Sequence, residues 1–262
     1  MRIEEMRDIR DKIEAAEREA AQLILHAHGV LAEMKTGHRD VVTEYDRKVQ
    51  ELLVDRLRRA VPGARFFCEE NNQRDDLNAE CLFIIDPIDG TMNFVRGFSR
   101  SCISVACANH GELVAAAVYN PYLDEMFTAV KGEGARLNGR PIHAYDGPLS
   151  ESVVCFGTAP YNQALTTRTF RLAERAHRAS LDIRREGAAA LDLCSAAAGR
   201  AGAYFELEIS PWDYAAGMLL VQEAGGRCTN VDGEPLGLTG GKTSILAGGP
   251  LSAVELLQAL AD

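Results

Sequence analysis

A layered α/β or α+β fold is what this sequence predicts, and three observations carry the prediction. The first thirty or so residues repeat apolar positions at helical spacing. Between about 65 and 130, short apolar runs are punctuated by Gly and Pro, the pattern of successive strands. Beyond about 150, strand-like and helix-like segments alternate.

The elements follow in order. Ile3, Met6, Ile9, Ile13, Ala16, Ala20, Leu23, Ala27 and Leu31 form one stripe, predicting an amphipathic helix from Ile3 to about Ala32. KTGHRDVVTEYD is polar and turn-like. Val49, Leu52, Leu53 and Leu57 share a face of a second helix, roughly Tyr45 to Arg59, stopped by Pro62 and Gly63. RFFC at 65–68 reads as a short strand running into Glu69 and Glu70. Strands follow at 81–85, about 102–109, 112–119 and 125–130, with Gly111, Pro121 and KGEGARLNG as separators. GPLSES at 147–152 marks the best boundary between two lobes, about 1–147 and 148–262 of one domain. The second lobe should contain strands at 152–156, 181–184, 202–206 and 244–248. Helices are expected at about 162–179, 188–198, 212–224 and 251–261.

Composition narrows the function. The chain has 262 residues, 47% hydrophobic and 25% charged, which is ordinary for a globular protein. No apolar run reaches the roughly 18 residues of a membrane helix, and the charged, helical N-terminus is no signal peptide. Seven cysteines without a CxxC pair argue against a disulfide framework and for a reducing cytoplasm. The net charge of -10 leaves no basic footprint for nucleic acid. An anionic substrate would need local arginine, lysine or metal.

Acidic residues cluster where elements end or begin. Glu69 and Glu70 follow one strand, and Asp86 and Asp89 follow the next, in IIDPIDGTMNF. Asp46 and Asp213 stand at helix starts. Each has a plain alternative: a solvated loop pair for the glutamates, a turn for Asp-Pro and Asp-Gly, a cap for Asp46 and Asp213. Should they converge, two carboxylates 4 Å apart repel by about 4 kcal/mol at an effective dielectric of 20. A cation would relieve that. All-oxygen ligands favour a hard ion such as Mg²⁺. Such ions can clamp a phosphate, acidify a water and stabilise a leaving oxygen.

IIDPIDGTMNF, together with WDYAAGMLLVQEAGG, resembles the inositol monophosphatase family of Mg²⁺-dependent, lithium-sensitive phosphatases. Lys35, Asp40, Thr43 and Asp46 in KTGHRDVVTEYD, and Glu69-Glu70, extend the resemblance to essentially the whole chain. It implies an α-β-α-β-α sandwich, a homodimer and hydrolysis of myo-inositol monophosphate or a similar sugar or polyol phosphate. Glu69, Asp86 and the Ile88 carbonyl would hold one Mg²⁺; Asp86, Asp89 and Asp213 would hold a second, and Glu69 would help with a weaker third. Thr91, backed by Asp46, would orient the attacking water. Gly90 and Thr91 would offer N–H groups to the phosphate. Gly187, Ala188, Ala189 and Glu206 would line the substrate pocket, with Asp89 and Asp213 also touching substrate. Glu206 has an alternative as a strand-end surface acid.

This sequence departs from the family pattern in three places. Cys68 replaces the usual Gly before the glutamates, Ala188 replaces Ser or Thr after Gly187, and Ser99-Arg100 replaces the Pro common after Gly97-Phe98. Fructose 1,6-bisphosphate and 3′-phosphoadenosine 5′-phosphate are rival substrates, although relatives acting on the latter carry Lys-Glu where Met92-Asn93 stands. A regulatory protein that kept the fold, such as a transcription partner, is the other class. The acids and Thr91 that such a role could lose are all present. GGKTS at 240–244 lacks the first Gly of a phosphate-binding loop. His110, His143 and His177 lie outside the acidic motifs, and Arg184-Arg185 are assigned neither substrate nor partner.

Overall fold

Periodicity in the apolar residues settles the layer order. In the computed structural model, residues 1–34, 41–70 and 73–261 are described. Helix α1 (Ile3–Leu25) is followed by a two-stranded ribbon, β1 (Ala32–Met34) and β2 (Val41–Thr43), and by α2 (Glu44–Ala60). Next come β3 (Arg65–Cys68), β4 (Leu82–Asp89), the short α3 (Thr91–Arg96), β5 (Cys102–Asn109), β6 (Glu112–Asn120), β7 (Glu125–Val130), β8 (Ala135–Leu137) and β9 (Arg140–Ile142). Strands β3 to β9 form one sheet in sequence order, parallel only at β3–β4.

The second half adds β10 (Val153–Phe156), α4 (Thr166–Ala179), β11 (Asp182–Arg184), α5 (Ala189–Ala197), β12 (Ala203–Ile209), α6 (Pro211–Glu223), β13 (Arg227–Thr229), β14 (Thr243–Gly248) and α7 (Ser252–Ala261). Its five strands are ordered β11-β10-β12-β14-β13.

Successive strand residues point to opposite faces. Phe83 and Ile85 of β4 therefore pack with α1 and α2, through Ile13, Leu53 and Leu57. Leu82 and Ile84 face the other way, onto α5 and α6. The same two helices cover one face of the second sheet through Tyr204, Ile245 and Ala247. Phe156, Phe205 and Leu246 on its opposite face pack against α4 and α7. The layers are α1/α2, first sheet, α5/α6, second sheet, α4/α7. Because α5 and α6 are covered on both sides, they are nearly all apolar, with little amphipathic contrast. This is the α-β-α-β-α sandwich expected from the resemblance.

Several boundaries differ from the sequence expectation. Helix α1 stops at Leu25, seven residues early, where the His26 N–H caps onto Gln22 O; Gly29 then adopts φ +60°. Strand β4 does not end at Asp86. It runs to Asp89 through a register shift between Asp86 and Asp89, which accommodates Pro87 inside the strand; only Gly90 turns. Strand β12 extends to Ile209, so Glu206 lies within a strand and is buried, which removes its reading as a surface acid. Helix α4 starts at Thr166, after a 3₁₀ turn at Gln163–Leu165 whose N–H group at Ala164 is accepted by the Asn162 side chain. Strand β2 of the ribbon falls in KTGHRDVVTEYD, which was expected to be turn-like, and β8 and β9 fall within and just beyond the predicted KGEGARLNG turn; β13, like these, is only three residues long.

Candidate active site

Four helix N-termini converge on the C-terminal end of β4, and three of them are capped by the acids singled out above. Asp46 Oδ2 accepts the Thr43 N–H at 2.8 Å, closing the first turn of α2. Asp213 Oδ2 accepts the Ser210 N–H at 2.9 Å at the start of α6. Asp89 Oδ2 accepts the Ala190 N–H at 2.7 Å, reaching across from β4 to cap α5, whose own N-cap residue Ala188 has no side-chain acceptor. The capping reading therefore holds for Asp46 and Asp213, and it leaves Asp46 Oδ1 for Thr91 and places Asp213 beside Asp86 and Asp89. The partial positive charge of each N-terminus also offsets some of the repulsion among these acids.

Asp86, Asp89 and Asp213 each place a carboxylate oxygen within 4.8 Å of the others. Asp86 and Asp89 are buried and Asp213 is half-buried. Burial pushes the Asp86 carboxyl well above its ordinary range, and the charges of Glu69, Asp89 and Asp213 add to it. Burial likewise lifts Asp213 well above its ordinary value, with Asp89 and Glu69 contributing. Asp89 rises to about 7, again mainly by burial; the N–H groups at Ala190 and Ala189 act against the shift. Three acids that resist sharing their charge at this distance form a set suited to a hard divalent cation.

Glu69 lines the same cavity and acts electrostatically on all three, although it stands outside the tight triplet. Its neighbour Glu70 is buried, and Gln50 grips the Glu70 backbone from both sides, at 3.0 and 2.9 Å. The pair is no solvated loop. Cys68 is fully buried, and burial pushes its thiol up to about 12, so it is a packing residue rather than a reactive one.

Gly90 stands at φ +84°, where an L side chain is strained. A Cβ there would also meet the Arg100 carbonyl at 2.9 Å and the Ala188 Cβ at 3.0 Å. Immediately after this turn, the Thr91 hydroxyl donates to Asp46 Oδ1 at 3.1 Å or to the Ile88 carbonyl at 3.0 Å. Asp46 is itself fixed, since the Thr43 hydroxyl donates to its other oxygen at 2.5 Å. Burial raises the Asp46 carboxyl, while the Thr43 bonds pull it back.

Glu69, Asp86, Asp89, Gly90, Thr91 and Asp213 line one cavity of about 390 Å³, with Asp46 behind Thr91. Ile88, Gly187, Ala188 and Ala189 line it too. So does Glu206, whose oxygens accept the Ala159 N–H at 2.7 Å and the Tyr204 hydroxyl at 2.6 Å. The expected site residues on described positions are thus brought together; Lys35 and Asp40 lie outside the described residues.

The cavity also contains residues the sequence reading passed over. Asp192 is buried on α5 with Oδ1 unpartnered among the described residues, and burial pushes its carboxyl well up. A helix-face periodicity count would have flagged it as an acid on an otherwise apolar helix. Arg185 and Lys242 line the rim. The three histidines set aside above do not line the cavity.

The comparisons agree with this geometry. The profile of the inositol monophosphatase family matches residues 5–262. Nus factor SuhB of Escherichia coli (strain K12) is 33% identical over 228 residues, 86% of this chain and 84% of that protein. Nus factor SuhB of Vibrio cholerae serotype O1 is 35% identical over 223 residues, 85% of this chain and 83% of its own. Among solved structures, the extragenic suppressor protein suhB of Bartonella henselae superimposes with a TM-score of 0.87 at 30% identity, covering 95% of this chain and 97% of that one. The Thermotoga maritima IMPase gives 0.86 at 33% identity, with 94% of each chain covered. With the layered sandwich, the acidic triplet and a match over nearly its full length, the chain belongs to the inositol monophosphatase family.

Proposed function

We propose that the protein is a Mg²⁺-dependent phosphomonoesterase that releases inorganic phosphate from inositol monophosphate or a related sugar or polyol phosphate. The observation that carries this reading is the acidic triplet lying one turn of chain away from the Thr91–Asp46 hydrogen bond. Asp86, Asp89 and Asp213, with Glu69 and the Ile88 carbonyl, would hold the ions. Bound Mg²⁺ supplies charge neutralisation at the phosphate and an acidified water.

The chain's own groups do the positioning. Thr91 has a single O–H, and it is directed at Asp46 or Ile88, so its lone pairs are left to accept a hydrogen bond from the incoming water. Asp46 cannot swing away, because Thr43 and the start of α2 hold its other oxygen. The water is thereby aimed for in-line attack on phosphorus, with positioning and electrostatics supplying the acceleration. Gly90 and Thr91 open α3 beside the phosphate position. Glu206 and the Gly187–Ala189 segment form the wall that would meet the alcohol part. The family expectation of a homodimer and of lithium sensitivity belongs to the same reading.

The names of the SuhB relatives favour a second role, binding a transcription partner. It is compatible with the first, since the hydrolytic set is intact. Phosphate release decides the primary reading: inositol 1-phosphate, fructose 1,6-bisphosphate, 3′-phosphoadenosine 5′-phosphate and NADP are assayed with and without Mg²⁺. Mg²⁺-dependent release from at least one supports it. No release from any of them overturns it.

A further inference from the structure

Seven cysteines without a paired spacing argue against a disulfide framework, and all seven are free thiols. Two of them nevertheless touch. Cys81 Sγ lies 3.7 Å from Cys107 Sγ, and among the described residues no other thiol is bonded to a thiol.

The first sheet brings them together. Phe83 of β4 pairs with Cys107 of β5, and Cys81 stands two residues before Phe83. Side chains two apart along a strand share a face, so Cys81 and Cys107 are diagonal neighbours on the face covered by α1 and α2. Cys81 stands one residue before β4 begins, at the end of the strand away from Asp86 and Asp89.

The two thiols are not equivalent. Cys107 is fully buried, whereas Cys81 is half-buried and open to a small reagent. A hydrogen bond from Cys107 holds the Cys81 thiol below its ordinary value, against burial and the Glu80 charge, and Lys12 on α1 adds a smaller favourable charge. The same bond raises the Cys107 thiol, and burial raises it further. Exposure and thiolate character, the two requirements for reaction with an oxidant, therefore coincide at Cys81. They do not coincide elsewhere. Cys68, Cys102, Cys155 and Cys194 are buried. Cys228 is half-buried, but its sulfur turns onto the Met218 carbonyl at 3.8 Å, and burial pushes its thiol up to about 12.

We propose that Cys81 and Cys107 form an oxidisable thiol pair, in which hydrogen peroxide oxidises Cys81 and Cys107 resolves the product to a disulfide across β4 and β5. The Cys81 thiolate attacks one peroxide oxygen. An S–O bond forms, the O–O bond breaks and hydroxide leaves, so the sulfur loses two electrons to become a sulfenic acid while the peroxide is reduced. The Cys107 sulfur then attacks the Cys81 sulfur. The S–S bond forms, the S–O bond breaks, and hydroxide leaves with the Cys107 proton as water. A dithiol reductant returns both thiols. The sulfurs have to close from 3.7 Å to the roughly 2 Å of a disulfide bond, and because Cys81 precedes the strand, the adjustment falls on a side chain and a strand end rather than on the sheet. The enclosed stretch carries Asp86, Ile88, Asp89, Gly90 and Thr91, so the loop holding the acids becomes covalently tied at its base.

The test does not rest on the phosphatase reading. The full chain, reduced beforehand, is exposed to hydrogen peroxide; catalase stops the reaction, the protein is unfolded, and iodoacetamide labels the remaining thiols. Two of the seven labels should be lost together, peptide mapping should show Cys81 linked to Cys107, and dithiothreitol should restore all seven. This loss should be at least about tenfold faster than oxidation of any other cysteine. Cys107→Ala, which keeps that core position small and apolar, should stop at a Cys81 sulfenic acid that dimedone traps. Cys81→Ser should lose the fast phase altogether. The wild-type map decides the matter even where a variant folds poorly. A fast link between other cysteines or between two copies of the chain, a fast loss that survives Cys81→Ser, or irreversible oxidation of Cys81 with Cys107 still free overturns the proposal.

Discussion

Replacing Asp89 by Asn should make the metal-free protein more stable while destroying its response to Mg²⁺. The triplet oxygens lie within 4.8 Å of one another, so each fully charged pair would cost at least about 3.5 kcal/mol at an effective dielectric of 20. Asp89 takes part in two such pairs. Protonation caps the cost: a carboxyl that titrates at about 7 in the fold, against about 4 when unfolded, costs the folded state roughly 4 kcal/mol at pH 8. The Asn amide oxygen can still accept the Ala190 N–H, so the cap on α5 survives. A gain of about 2–4 kcal/mol is expected above pH 7, or a Tm higher by roughly 5–10 °C for a chain of this size.

The sign of the pH dependence follows from the raised pKa. The folded protein holds its proton longer than the unfolded chain, so the penalty is absent below about pH 4. It grows as pH rises and is complete above about 7. Thermal melts of the wild type and Asp89→Asn, in chelator and in Mg²⁺, at pH 5 and pH 8, measure this. The variant should be ahead in chelator, by more at pH 8, and should lose most of the Mg²⁺-induced rise in Tm and all phosphate release. A variant less stable than the wild type in chelator at pH 8, or one equally stabilised by Mg²⁺, would refute the account of the triplet.

Three further outcomes are expected. Thr91→Val should retain Mg²⁺ binding, seen as a metal-induced Tm shift, while phosphate release falls by about 100-fold or more; Thr91→Ser, which keeps the hydroxyl, should fall far less, and equal losses in the two would exclude a role for the hydroxyl. Gly90→Ala should cost about 1–2 kcal/mol from its φ of +84°, read by denaturant melts, and more if the Arg100 carbonyl cannot retreat. Glu17 on α1 is fully buried with neither carboxylate oxygen in a hydrogen bond of good geometry among the described residues, and burial holds its carboxyl well above the ordinary range against a smaller opposing pull from the Val105 backbone. Glu17→Met should therefore stabilise by about 1–3 kcal/mol, with the gain increasing as pH rises above the ordinary carboxylate range; a lower Tm at pH 8 would show that Glu17 has a partner in solution.

Different parts of the molecule were legible to different degrees. Long elements declare themselves because their apolar stripes repeat many times: α2, β5 to β7, α6 and α7 lie within two residues of expectation. Strand β4 was shortened because its apolar run stops at Asp86, although backbone pairing continues past Pro87 through a bulge. Helix α1 was overextended because Ala27 and Leu31 keep the helical spacing after the backbone has left the helix. Strands of three residues, such as β8, β9 and β13, carry too few positions for any period to show.

The candidate site divides in the same way. The acids stood out at the ends and starts of elements, and the resemblance carried by IIDPIDGTMNF and WDYAAGMLLVQEAGG singled out Gly90 and Thr91 beside them. That Asp46 both caps α2 and lies in hydrogen-bond reach of the Thr91 hydroxyl, and that Asp89 caps a helix 101 residues away in sequence, could not be read from any window. Arg185 drew no assignment from the sequence, and Lys242 figured only in the rejected GGKTS match, because nothing local distinguishes a cavity-lining cation from a surface one. The sequence by itself determined the layer periodicity, the oxygen-donor chemistry and the turn at Gly90, since each depends on near neighbours and residue type. Only the tertiary structure decided which acids share a cavity and how burial raises their carboxyls, because charge interactions act through space and depend on what the fold removes from water.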